Sequence, residues 1–145
     1  MHKMAVMLAV ALLASACGSR PTAAQVVPIE LTEFAIQSPI KVFRVGTPYR
    51  FIISNPGAIN HELVLLPEGQ EHHMGESGHA EHGGHGEDRG HQMAGGMLHV
   101  GDSELTPGAT VTVEYAFTQA GEFEFGCYLP GHYEAGMHTT VSVIP

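Results

Sequence analysis

The sequence predicts an all-β fold, one β-sandwich or barrel interrupted by a long polar insert, and three observations carry that expectation. Beyond the first 17 residues no stretch of useful length shows helical periodicity, and Pro and Gly recur every few residues. Apolar and polar residues alternate with period 2 in several short blocks separated by turn residues. One stretch, 68–97, holds no β-branched or aromatic residue.

Size and charge narrow the function classes. A chain of 145 residues suits one domain, and 43% hydrophobic against 14% charged residues lets most of it bury a core. Six Lys and Arg face fifteen Asp and Glu, a formal charge of -9. That balance argues against nucleic acid and anionic lipid as partners, since both need clustered basic residues. With Cys17 and Cys127 the only cysteines, a disulfide framework is excluded. Eleven His in so short a chain point to metal.

Residues 1–16 read as an export signal: Lys3 supplies the basic start, and Met4 to Ala14 form an apolar run too short to span a bilayer. The run Leu13-Ala14-Ser15-Ala16-Cys17 looks like a lipobox, which would make Cys17 the lipid-bearing first residue of the mature chain. Ordinary cleavage after Ala16 is the alternative. In both cases the working protein is expected outside the cytoplasm, in the periplasm or cell envelope; with the lipobox it would meet a membrane only through the lipid on Cys17. Residues 17–26, small and polar, read as a tether, and 27–145 as the folded domain.

Within the domain, Ile29 and Leu31 share one phase and Phe34 and Ile36 the opposite one, which predicts a bulge near Thr32-Glu33. Tyr49, Phe51 and Ile53 alternate with Arg50 and Ser54. His61, Leu63 and Leu65 share a phase, turning the His61 imidazole inward. Val111, Val113, Tyr115 and Phe117 form another face. Phe123, Phe125 and Cys127 lie in one phase of a late strand, and Met137, Thr139, Val141 and Val143 in one phase of the last. His99 and His138 flank strands and read as surface residues.

The insert, 68–97, carries six His, three Met, nine Gly and six acids. It cannot bury apolar area and reads as a disordered loop between two strands. His-rich tracts commonly bind metal. Candidate ligands for weak, multi-site metal binding are His72, His73, Met74, His79, His82, His85, His91, Met93 and Met97. Without the signal and insert, about 99 residues remain, enough for a small sandwich.

The chemistry concentrates between Gly121 and Met137. The strand ending at Cys127 must loop, because Pro130 and Gly131 stop it before His132, and a second turn with Gly136 delivers Met137. With His61 the segment offers one thiolate, two imidazoles and one thioether. Two His and one Cys in a plane with a weak axial Met make the blue-copper electron-transfer site. Structural zinc would want four strong ligands and has little use for Met. A Cys–His nucleophile pair would need an orienting third group, and no motif supplies one.

The spacing Cys127-x4-His132-x4-Met137, with one upstream His beside Asn60 and Glu62, resembles the cupredoxins. Within them the likeness is to the azurin, auracyanin, plastocyanin and rusticyanin group and to small periplasmic cupredoxins linked to copper tolerance. It covers roughly 27–67 and 98–145. The resemblance implies a Greek-key β-sandwich or barrel of the cupredoxin type. It assigns type 1 copper to His61, Cys127, His132 and Met137, and makes His132 the partly exposed ligand through which electrons leave. One departure stands out: Glu62 occupies the position after the first His where many cupredoxins carry Asn, which bears on the reduction potential.

The expected function is one-electron transfer by an extracytoplasmic copper protein, in copper tolerance or homeostasis, with the loop binding extra copper. The alternative is a plain electron carrier between respiratory-type redox partners with an inert loop. The expected partner is a redox protein (a cytochrome or copper protein) or a copper-handling protein, and the chain is expected to be a monomer. No catalytic residue is expected, because copper oxidases need further His clusters and a second domain.

Overall fold

A computed structural model describes residues 23–70 and 96–145. Nine strands form in chain order among the described residues: β1 (Gln25–Thr32), β2 (Ala35–Gln37), β3 (Val42–Arg44), β4 (Tyr49–Ser54), β5 (Leu63–Pro67), β6 (Leu98–Val100), β7 (Thr110–Tyr115), β8 (Gly121–Gly126) and β9 (His138–Ile144). They build a four-stranded sheet in the order β2-β1-β4-β7 and a five-stranded sheet in the order β3-β9-β8-β5-β6. The pairs β1–β4 and β3–β9 are parallel and the rest antiparallel. The fold is the all-β sandwich the alternation predicts. No helix among the described residues is long and apolar enough to cross a membrane.

The alternation becomes a core because period 2 sends every second side chain to the inner face. Val27, Ile29 and Leu31 of β1, Tyr49, Phe51 and Ile53 of β4, and Val113 and Tyr115 of β7 are buried. They meet Phe43, Phe123, Phe125, Val141 and Val143 of the other sheet. Aromatic edges join the two layers: Phe51 of β4 lies 5.9 Å from both Phe43 of β3 and Phe125 of β8, each nearly perpendicular. Each fully buried Phe contributes roughly 1.5–3 kcal/mol by leaving water. β5 lies between β8 and β6, and Leu63, Val64, Leu65 and Leu66 are all buried.

Two local expectations change. The phase reversal after Leu31 is a tight hairpin, with Thr32 opposite Ala35 and Leu31 opposite Ile36, rather than a bulge. Glu33 and Phe34 form the turn, and Phe34 takes a left-handed φ of 60°, a conformation that Gly or Asn usually supplies. The first strand also opens at Gln25, inside the segment expected as tether.

The expected signal and Cys17 lie outside the described residues, as does most of the insert. The insert's two ends fall directly after β5 and before β6. Antiparallel pairing of β5 with β8 sets Val64 opposite Gly126 and Pro67 opposite Phe123. The start of β5 and the end of β8 therefore share one end of the sheet, and the insert joins the other.

Candidate metal centre

Three segments converge at the β5-start end. The first is the connection 55–62 leading into β5. Asn55, almost wholly buried, donates from Nδ2 to the carbonyls of Ile59 (2.8 Å) and Leu105 (2.7 Å), while its Oδ1 accepts the Gly57 N–H at 2.9 Å. The His61 N–H donates to Leu105 at 3.2 Å. This network anchors the imidazole, which is fully buried.

The second segment is the loop from Cys127 to Met137 between β8 and β9. Its ends are tied together, the Cys127 N–H donating to the Met137 carbonyl and the Met137 N–H to the His132 carbonyl, both at 3.0 Å. Gly136, at a left-handed φ of 99°, makes the turn that returns the chain to β9. Cys127 and Met137 are fully buried, whereas His132 is half-buried.

The third segment is the β1–β2 turn. Phe34 packs edge-on against His132, ring centroids 5.5 Å apart at 79°.

The donor atoms meet at one point. Nδ1 of His61 and Nδ1 of His132 are 3.3 Å apart, and Cys127 Sγ lies 3.4 Å from His132 Nδ1. One donor atom from each of the three residues falls within 4.8 Å of the others. His61 Nε2 is buried with no hydrogen-bond partner among the described residues, so the ring's place in the core is set by what its inner nitrogen faces. Three electron-pair donors aimed at one buried point, with Met137 beside them in the fold, form a cation site, and the thiolate–imidazole set is that of type 1 copper.

Electrostatics suit metal capture. Burial first, then the neighbouring His132, holds the His61 imidazole below the usual histidine value, with Glu33 opposing. The ring therefore stays neutral and able to ligate. Burial pushes the Cys127 thiol up, partly offset by hydrogen bonds from the backbone of Glu62 and Leu129. Without a cation the sulfur holds its proton, so copper must displace it.

Around the donors lie Glu62, His99 and His138, whose contacts the sequence does not reveal. Glu62, 3% exposed, accepts the Tyr128 N–H on Oε1 at 2.9 Å, and its Oε2 meets His99 Nε2 at 3.2 Å. The carboxylate thus ties β6 to the peptide after Cys127, and it raises the His99 pKa, chiefly through that hydrogen bond. His99 is therefore a partner of a buried acid rather than a plain surface residue. His138, too, is engaged: Tyr128, Tyr133 and His138 stack in a column, at 4.8 and 4.5 Å between rings. Glu124 accepts both tyrosine hydroxyls and meets His138 Nδ1 at 3.2 Å. Each column member directly follows Cys127, His132 or Met137 in sequence, so the five-residue spacing is shared.

Of the other ligand candidates, Met97 is half-buried just before β6. His72, His73, Met74, His79, His82, His85, His91 and Met93 lie outside the described residues.

Sandwich and donor set together define the class: the chain has the cupredoxin fold, with the donors of a type 1 copper site at one end. In sequence it is similar to two proteins named copper-resistant cuproprotein CopI. That of Rubrivivax gelatinosus is 34% identical over 97 residues, covering 65% of this chain and 50% of the relative. That of Pseudomonas aeruginosa is 29% identical over 120 residues, covering 70% and 66%. The chain thus spans about half to two thirds of the length of these relatives. Dithionite-reduced auracyanin from Roseiflexus castenholzii superposes with a TM-score of 0.53 at 19% identity, covering 86% of this chain and 100% of auracyanin. A laccase from Pediococcus acidilactici matches at 0.52 and 16% identity, covering 88% of this chain and 28% of the laccase. No protein-family model matches the chain.

Proposed function

We propose that this protein is an extracytoplasmic type 1 copper protein that passes single electrons in the setting of copper tolerance. The observation that carries the reading is the convergence of His61 Nδ1, His132 Nδ1 and Cys127 Sγ at one buried point. Similarity to copper-resistant cuproproteins supports the physiological setting. His61, Cys127 and His132 would hold the copper, with Met137 as the weak fourth ligand, and the metal supplies a reversible one-electron couple.

The chain's own groups define the rest. The buried positions of His61, Cys127 and Met137 exclude water from three sides. Asn55 and the Cys127–Met137 backbone bond hold the donors in place whatever the oxidation state, which keeps reorganisation small. His132, the donor with partial exposure, faces the partner. The partner is a redox protein or a copper-handling protein, and the chain acts as a monomer.

The insert 68–97 binds additional copper through its His and Met residues, and Cys17 carries the lipid anchor. Turnover chemistry is not part of the reading, which rests on one-electron transfer alone.

A copper titration of the mature protein, reading visible absorption and bound metal together, tests the proposal. An intense blue band saturating at one copper while further copper binds without colour is expected, and deletion of 68–97 should remove only the colourless binding. One copper in both proteins would leave a plain electron carrier. Absence of the band would remove the reading.

A further inference from the structure

Phe34 combines two features that a side chain seldom keeps without a role. Its backbone φ is 60°, the left-handed region, and among the described residues it is the only non-glycine there. The residue is 45% exposed, although a Gly or Asn at this turn would avoid both the backbone strain and an exposed aromatic side chain. An observed outlier of this kind is a reason to look for function.

The ring's position supplies one. It stands edge-on to His132, the half-buried donor, while His61, Cys127 and Met137 have no exposure. Any exchange of the metal with solvent must then pass the His132 side, where Phe34 forms the outer wall. The turn is latched on its other flank as well. Glu33 Oε1 accepts the Ala58 N–H at 2.5 Å, three residues before His61, so the turn bridges both histidine-bearing segments.

We propose that Phe34 is a positioning residue that restrains the His132 ring and thereby sets the rate at which copper leaves and enters the site. This rests on the type 1 copper reading and adds a kinetic control to it. When a chelator such as bicinchoninate takes Cu(I), the metal–donor bonds break and bonds to the chelator form. The Cys127 thiolate takes a proton from solvent, and no electron moves. The step that opens the way is rotation of His132, which the Phe34 edge obstructs.

The test compares wild type, Phe34→Gly and Phe34→Tyr, each loaded with Cu(II) for the visible spectrum and then reduced with ascorbate to the Cu(I) form before transfer is timed. Gly suits the left-handed backbone, so the apoprotein of Phe34→Gly should melt at or above the wild-type temperature. Its blue band should remain, and Cu(I) transfer to bicinchoninate should accelerate about tenfold or more. Phe34→Tyr, which keeps the ring, should transfer at the wild-type rate. A wild-type rate in Phe34→Gly with the band retained would overturn the proposal, and so would equal acceleration in Phe34→Tyr. A wild-type protein without a blue band would instead sink the copper reading, and the gate with it.

Discussion

The carboxylate of Glu62 accepts the backbone N–H of Tyr128 at 2.9 Å, joining the residue after one histidine donor to the residue after the thiol. An amide at this position could make the same bond, so the geometry survives the departure from Asn while the charge does not. At alkaline pH, where His99 no longer pairs it with a positive charge, the buried Glu62 carboxylate beside the site favours Cu(II) over Cu(I). Glu62→Gln should therefore keep the blue band and, at that pH, raise the reduction potential, by roughly 60 mV for each 1.4 kcal/mol of lost charge stabilisation. Voltammetry that shows an unchanged or lowered potential would refute this role for the charge.

His99 makes the same pair visible in stability. Its hydrogen bond to Glu62 raises its pKa above the ordinary 6.5, so the folded state holds the proton more tightly than the unfolded chain. The added stability is complete below pH 6.5 and fades as pH rises through the higher folded value. With the side chain 27% exposed, the effect is screened to roughly 1 kcal/mol. In the apoprotein, the Tm gap between wild type and His99→Asn should be a few degrees at pH 6 and smaller at pH 9. A gap that grows with pH would reverse the assignment.

Copper uptake should release about one proton at pH 7, because burial keeps the Cys127 thiol protonated while the depressed His61 imidazole is already neutral. Apparent affinity then falls about tenfold per pH unit as pH drops. Calorimetry in two buffers of different ionisation enthalpy reads the proton directly. No proton release would mean that the thiol is already ionised or is not a ligand.

Behind the ligand loop, Gly126 marks a close approach: a Cβ there would fall 2.7 Å from Cε2 of Tyr128. Gly126→Ala must push the Tyr128 ring off the column it shares with Tyr133, His138 and Glu124. Overpacking of this kind costs about 1–3 kcal/mol. Tyr128→Ser in the same chain should recover much of the loss. Simple additivity of the two substitutions in urea unfolding would show that the ring is not what Gly126 accommodates.

What the sequence made legible was local. Cys127, His132 and Met137 sit at fixed spacing in one loop, and period-2 phase turns Cys127 and His61 inward, so convergence could be read without coordinates. The partners of that cluster were not legible, because they come from distant segments. His99 reaches Glu62 from the far side of the insert, and Asn55 bonds Leu105 across fifty residues. Phe34 was hidden for another reason. Thr32-Glu33-Phe34-Ala35 has no Gly, Asn or Pro to announce a turn, so a hairpin whose backbone is held by tertiary contacts reads as a bulge in one strand.

The central claim is a thiolate–copper bond at Cys127, and the visible spectrum of copper-loaded protein beside Cys127→Ser and Met137→Leu tests it most directly. An intense blue band is predicted for the wild type. Cys127→Ser should lose it altogether, and Met137→Leu should keep it with a shifted reduction potential. A blue band that persists in Cys127→Ser would contradict the account.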